Sequence, residues 1–513
     1  MMSTATAGDD AGRKPPLAAR STLRTDSLAL GVSMMLGLSV LQRIVGMVRS
    51  ILFCRLMTDE ELGTWSLAFS FLLLAAPLAV LGLPGSFGRY AERYRQRGQL
   101  AAFLRRTSLV IGLLALVGVG VVCLAREPVS WLVFNDTAHA DLMLTLALSL
   151  AAVIAVNYVV DLLTSLRQVR AVSLLQFAHS MVFAAVGLTL LSITHMGAQA
   201  VVVAYAAGSL AGIAIAVPSL LRVWRSTSEE SAGDAPSQRD LWSHLAPFAV
   251  WIWVINLLTN LFEMADRYMI VHFARGTTEQ VHALVGQYHS SRVLPSLMMA
   301  AAGMVAAVAL PYLSHDWEAG RRGDVARRLN TLMTLVGLAF FAGGAVVLVA
   351  APLVFDWVLS GRYNDGLAVL PWTLAYAGWF SISLVAQSYL WCAERARLAN
   401  AALLLGLIAN VALNLALLPW LGLSGAVLAT AAANALALAM VLYFGRSAGM
   451  RWRRGALLVC LLPVLLGLGV WVTLLGAAAV ALAALRTEWI FTDDQRQEVW
   501  QQGRDLWARF RPA

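Results

Sequence analysis

"LGLSGAVLATAAANALALAM", residues 421–440, aligns with "MGAQAVVVAYAAGSLAGIAI", residues 196–215, at one offset that puts Gly422 on Gly197 and Ala429 on Ala204. Two Ala/Val/Leu-rich stretches can agree by chance, so the order of the neighbouring matches decides. Ahead of the earlier copy stands "WLVFNDTAHADLMLTLAL" (131–148), and ahead of the later copy its echo "PLVFDWVLSGRYNDGLAVLPWTLA" (352–375). The motifs keep their order in both halves, as a duplication requires.

The repeat lies in a chain built of apolar runs. A helix needs about 20 apolar residues to cross roughly 30 Å of hydrocarbon, and runs of that length fall near 28–56, 64–86, 107–125, 141–165, 171–193, 198–220, 248–274, 283–311, 329–355, 367–391, 398–418 and 422–444. Each half therefore holds six spans. Two halves of equal, even span number keep the same membrane orientation and relate by an axis along the membrane normal. The expected fold is an all-α polytopic membrane protein, with two six-helix lobes in a pseudo-two-fold repeat around a central cavity. The stretch 456–491 is long for one span and short for two; a tight hairpin turning near Val472–Leu475 brings the total to about fourteen.

Composition sets the same class. The 513 residues are 59% hydrophobic and 13% charged, with a mean hydropathy of +0.71, a balance that a water-soluble domain does not have. The expected organisation is a cytoplasmic tail over 1–25, an N-lobe over 26–221, a cytoplasmic linker over 222–242, a C-lobe over 243–445, the hairpin over 446–491 and a cytoplasmic tail over 492–513. The first tail carries Arg13, Lys14, Arg20 and Arg24. The apolar run after it has no small-residue cleavage site and reads as a retained signal anchor. With the N-terminus inside, about thirty of the 38 basic residues fall on the cytoplasmic side, as the positive-inside bias demands. That placement accounts for the net charge of +9 without a nucleic-acid partner. Cys54, Cys123, Cys392 and Cys460 are scattered in apolar surroundings with no CxxC or Cys/His spacing, so neither a metal, a cofactor nor a disulfide framework is expected.

Polar residues inside the spans are the candidates for function. Arg43, Arg49 and Arg55 in "LQRIVGMVRSILFCR" (41–55) recur every six residues, which separates them by about 9 Å along a helix and about 120° around it. No single stripe can hide all three. Either a polar cavity flanks this helix, or the outer arginines snorkel to the interface, the simpler reading for Arg55. Arg43 sits deep, and Arg292 in the eighth span has no carboxylate within a turn. A guanidinium stays charged and offers paired planar donors, so a diphosphate suits such groups. Glu263 and Arg267 stand at i, i+4 and are expected to pair, leaving Asp266 as the candidate partner for a cavity arginine or a coupling ion. Asp161 is either a helix-end residue paired with Arg167 or a titratable site. Asn256 and Asn260 share a face of the seventh span and could reach sugar hydroxyls. Asn157, Asn410, Asn414 and Asn434 read as amides bonding between helices. Pro295, one turn after Arg292, is either a hinge or a static kink.

Four stretches carry a resemblance to a known family: "RLMTDEELGTWSLAFSF" (55–71) with "LGLPGSFGRYAERY" (81–94); "DRYMIVHFARGTTEQVHALVGQYHSSRVLPSLMMAAAGMVAAVALPYLS" (266–314); "LVFDWVLSGRYNDGLAVLPW" (353–372); and "NVALNLALLPWLGLSGAVLAT" (410–430). They resemble the polysaccharide-biosynthesis, or Wzx-type, flippases of the multidrug/oligosaccharidyl-lipid/polysaccharide exporter superfamily. "QRIVGMVRS" (42–50) and "YHSSRVLPSLMMAAAGMVAAVALPYLS" (288–314) also resemble the sister lipid II flippases, whose arginines at matching places line a cavity and bind the substrate's diphosphate. The resemblance implies that Arg43, Arg49 and Arg292 contact substrate. It also implies a bacterial inner-membrane protein that moves a polyprenyl-diphosphate-linked oligosaccharide among membrane lipids. The placement of the basic residues puts both termini in the cytoplasm, the sequence gives no reason to expect more than a monomer, and sodium, protons and the membrane potential stay open as the source of coupling. A cationic-drug exporter would be expected to have an acidic cavity, whereas the buried charges here are mostly arginine. A membrane enzyme would be expected to show a sizeable loop or a carboxylate and histidine cluster, and the sequence has neither.

Overall fold

The computed structural model describes residues 28–229 and 237–486. The expected tails and the middle of the linker lie outside the described residues. The first half contains α1 (Leu28–Leu56), α2 (Asp59–Ala79), α3 (Phe87–Gln96), α4 (Leu100–Leu124), α5 (Arg126–Phe134), α6 (Ala140–Ser165), α7 (Val169–Ile193) and α8 (Ala198–Glu229). The second contains α9 (Gln238–Phe273), α10 (Thr278–Glu318), α11 (Arg322–Leu353), α12 (Asn364–Ala386), α13 (Ser388–Cys392) and α14 (Ala396–Ser447), followed by α15 (Arg454–Val459), α16 (Leu462–Gly467) and α17 (Val470–Arg486). Ten of these helices are long and apolar enough to cross a membrane, and two shorter apolar pieces, Arg454–Gly467 and Val470–Ala483, follow them. No strand occurs among the described residues. Leu109, Leu113, Leu116 and Val117 stand exposed on α4, the inverse of a water-soluble surface and the face that lipid covers.

The duplication is visible in the backbone. Gly197 joins α7 to α8 with φ +49, and Gly422 breaks α14 into two arms with φ +56 and ψ −135; glycine enters the positive-φ region at no steric cost. The arms fold back on each other, so Asn410 reaches Thr430 at 3.3 Å and a Cβ at Gly406 would touch Ala437. α14 is thus the C-lobe counterpart of the α7–α8 pair. A second sign is shared by α2 and α10. Thr58 and Thr277 each accept a hydrogen bond from the N3 amide, of Glu61 (3.2 Å) and Gln280 (3.4 Å), and each donates its own amide back to that residue's side chain. Both helices therefore start on the same reciprocal cap.

α2 and α10 meet at the contact between the lobes. A Cβ at Gly63 would run into the His282 carbonyl, and one at Gly286 into the Asp59 carbonyl, so small residues let the two backbones touch. Polar bonds around this crossing seal the end of the bundle far from the arginine-rich turns. Tyr363 Oη donates to the Cys54 carbonyl at 2.8 Å. Gln287 Nε2 donates to the Arg362 carbonyl at 2.9 Å. His282 Nε2 donates to the Phe134 carbonyl at 2.8 Å, while its Nδ1 faces Thr64 Oγ1 at 3.2 Å. At the basic end, Tyr90 of α3 packs edge-on against Phe248 of α9 with ring centroids 5.5 Å apart.

Two boundaries differ from the sequence reading. The hairpin turns at Leu468–Gly469, with Gly469 at φ +100, and not at Val472–Leu475; an unbroken apolar run gives no periodic signal for the turn. α8 and α9 also run into the expected linker, because polar residues such as Arg222 and Arg225 extend a helix beyond the hydrocarbon as readily as they end it.

The close crossing predicts that Gly63→Leu overpacks α2 against α10 and destabilises the protein by about 1–3 kcal/mol, read as a lower melting temperature in detergent. Gly37, where a Cβ would meet nothing within 4 Å, should tolerate Leu. Equal melting of the two variants would contradict the crossing.

Candidate functional site

Three arginines from three helices converge in the middle of the bundle. Arg49 of α1 lies over the Phe183 ring, 4.1 Å from its centroid. Arg267 of α9 is buried and donates from Nη1 to Ser70 Oγ of α2 at 2.7 Å, crossing between the lobes. Arg292 of α10 is buried against the faces of Tyr288 and Tyr376, at 5.4 and 5.9 Å. His289 of α10 reaches the same stretch of α2, its Nδ1 facing Ser66 Oγ at 3.2 Å, and the Phe183 ring beneath Arg49 packs 5.9 Å from Trp65 next to Ser66. Ser66 and Ser70 are one turn apart on α2, so a single face of that helix supplies both hydroxyls.

The carboxylates near this cluster do not balance it. Glu263 approaches Arg292 Nη2 at 3.9 Å, with its side chain 56% exposed and Arg292's 10% exposed; its carbonyl also accepts from Arg292 Nη1 at 3.3 Å. The expected Glu263–Arg267 pair does not form within 4 Å among the described residues. The two side chains diverge, Glu263 into the open and Arg267 into the lobe interface.

Asp266 has its own partners. It is buried and accepts from Tyr288 Oη at 2.6 Å, from Asn410 Nδ2 at 2.9 Å and from Asn414 Nδ2 at 3.2 Å. Asn414 Oδ1 is buried without a hydrogen-bond partner. Asp266 and Tyr288 border a cavity of about 110 Å³ that Glu263, Arg292, Tyr376 and Thr430 also line. The cavity brings Asp266, Glu263 and Arg292 into one space. Asp266 is the buried carboxylate that a cation or a proton entering this space would meet, and three guanidiniums suit a multiply charged oxyanion.

The other expected site residues stand apart. Arg43 lies two helical turns from Arg49 towards the basic end, half-buried, with Nε enclosed and unbonded. Asn256 is exposed and Asn260 half-buried on α9, and neither borders the Asp266 cavity. Asp161 is half-buried near the end of α6, with no ion pair to Arg167 within 4 Å among the described residues; Arg167 turns away at φ 58. Sequence reasoning did not single out Tyr288, His289 or the Ser66/Ser70 pair. The only signals were a polar triplet, "YHS", inside an apolar span and serines spaced by four.

The comparisons with known proteins agree on the architecture. A family model described as "Polysaccharide biosynthesis protein" matches residues 28–317. The solved structure of the lipid II flippase MurJ in an inward closed conformation is similar over 88% of this chain and 99% of that chain, at 12% identity and a TM-score of 0.61. An inward-facing multidrug resistance MATE family transporter of the MOP superfamily is similar over 79% and 94%, at 10% identity and a TM-score of 0.58. A Vibrio cholerae MATE transporter is similar over 82% and 95%, at 13% identity and a TM-score of 0.54. At these identities the likeness concerns the fold. No curated protein matches the chain. With more than half of its length matched by the family model, the chain belongs to the polysaccharide biosynthesis protein family.

Proposed function

We propose that the protein moves a polyprenyl-diphosphate-linked oligosaccharide from the cytoplasmic to the outer leaflet of the bacterial inner membrane, with both of its termini cytoplasmic. The observation that carries this reading is the excess of guanidiniums in the middle of the bundle, with Arg267 and Arg292 buried and Arg49 on the aromatic face beside them, against the two carboxylates Glu263 and Asp266. Buried cations without matching anions are costly in a membrane. A diphosphate supplies the missing charge and accepts paired donors. Arg43 meets the headgroup nearer the basic end, and Asn256 and Asn260 on α9 are the amides offered to the sugar hydroxyls. The polyprenyl tail stays in lipid.

Transport follows by rocking one lobe against the other, which separates α2 from α10 at the sealed end. The far-end bonds of Tyr363, Gln287 and His282 open as the basic end closes. Net movement needs a bias between the two states that the substrate alone does not give. The Asp266–Asn410–Asn414–Thr430 group is where a sodium ion or a proton would enter, next to Arg292 and therefore coupled to it by charge. Lipid II carries the same diphosphate, so the choice between glycans rests on the sugar. A multidrug antiporter is disfavoured by the sign of the central charge.

Leaflet transfer of a fluorescent polyprenyl-diphosphate oligosaccharide in proteoliposomes tests the proposal. Arg49→Ala, Arg267→Ala and Arg292→Ala should each slow transfer about tenfold or more, as expected for loss of a charge-assisted bond worth about 1.5–3 kcal/mol. Arg292→Lys should recover only part of the rate, because an ammonium lacks the planar fork. Full activity in all three alanine variants would remove the diphosphate role. Asp266→Asn should leave substrate binding intact while transfer loses its response to a sodium or proton gradient; an unaltered gradient response would take Asp266 out of the coupling.

A further inference from the structure

The basic end of the C-lobe holds a second polar cavity, of about 460 Å³, where α10 ends, α11 begins and α14 gives way to α15. Arg322, Arg327, Arg451 and Arg453 line it together with Trp317, Tyr389 and Trp452, and no carboxylate does. Its walls are built. Asn330 is buried on α11, donates to the Arg451 carbonyl at 2.9 Å and accepts from the Arg453 amide at 2.9 Å, so one side chain pins the 451–453 segment to α11. Trp452 Nε1 donates to the Leu442 carbonyl at 2.8 Å. Trp317 stands edge-on to Tyr389 at 5.4 Å and carries the Arg322 guanidinium over its ring at 5.1 Å.

The charges divide sharply. Asp316, just outside, is taken by Arg321 and Arg328, and Arg327 is bonded to Asp324 at 3.1 Å. Arg322, Arg451 and Arg453 have no carboxylate within 4 Å among the described residues. Three free guanidiniums in a concave site lined by aromatics form a receptor for a phosphate ester. Tryptophan and tyrosine favour the depth of lipid headgroups, and basic pockets between membrane helices take anionic headgroups.

We propose that this pocket binds the phosphate of an anionic phospholipid headgroup, which then ties the α10–α11 turn to the segment leading into the α15–α17 hairpin. The site is separate from the central arginines and does not depend on their role.

The test uses the full chain in detergent with phosphatidylglycerol, phosphatidylcholine or inorganic phosphate added, read by native mass spectrometry and thermal melting. Phosphatidylglycerol should be retained and should raise the melting temperature of the intact protein, while phosphatidylcholine should not. Arg451→Gln/Arg453→Gln, and separately Arg322→Gln, should bind phosphatidylglycerol about fivefold or more weakly with lipid-free melting unchanged. Arg93→Gln/Arg97→Gln on the N-lobe, which removes the same charge elsewhere, should bind as the intact protein does. Equal phosphatidylglycerol binding by the pocket and control variants overturns the site. Stabilisation by inorganic phosphate alone, lost in the pocket variants, overturns the lipid source and assigns the pocket to a soluble phosphate.

Discussion

Excess positive charge held in the membrane-spanning middle of the bundle is the constraint around which the rest of the structure is arranged. Three guanidiniums cannot be left in hydrocarbon, so the helices that carry them face one another across the lobe interface. Each is then given neutral support: aromatic faces for Arg49 and Arg292, and a hydroxyl for Arg267. Cation–π contacts steady an arginine without cancelling its charge. Full carboxylate pairing would have produced an inert structural network. The cluster as built remains attractive to an anion.

The duplication explains how such a site can be exposed to one side at a time. α2 and α10 occupy equivalent places in the two lobes, start on the same threonine cap and touch through Gly63 and Gly286. A contact of that kind lies near the axis relating the lobes, so the same helix of each lobe supplies its half of the closed end. The far-end bonds from Tyr363 and Gln287 sit just beside it. Tyr363 also reaches the Met57 carbonyl and Gln287 also reaches Asp59 and the Gly366 amide; each such bond contributes about 0.5–1.5 kcal/mol net, few enough for a bound substrate or cation to outweigh. The Asp266 group borders the cavity that Arg292 also lines, which places cation and anion where each alters the other's field.

Much of this was legible in the sequence. Gly197 and Gly422 marked the repeat, and the positive φ that each adopts, which glycine takes at no steric cost, fits the recurrence of those letters. Arg49 and Arg292 stood out because lipid rejects an unpaired arginine. Arg267 was hidden by Glu263 one turn away, since i, i+4 spacing says that two side chains can meet and not that they do. Asn410 and Asn414 were visible as bonding amides, but their convergence on Asp266 depends on the fold-back at Gly422 and a helix more than a hundred residues away. The Leu468–Gly469 turn was misplaced because uniformly apolar sequence carries no boundary signal except the glycine itself.

The central claim is that the arginine cluster recognises a diphosphate. Its most direct test is the affinity of the intact protein for undecaprenyl diphosphate compared with undecaprenyl monophosphate, the same tail bearing one phosphate fewer. The account predicts that the diphosphate binds about tenfold tighter or more, a difference of about 1.4 kcal/mol, and that Arg292→Ala abolishes the preference. Equal affinities for the two lipids, unchanged by Arg292→Ala, would contradict it.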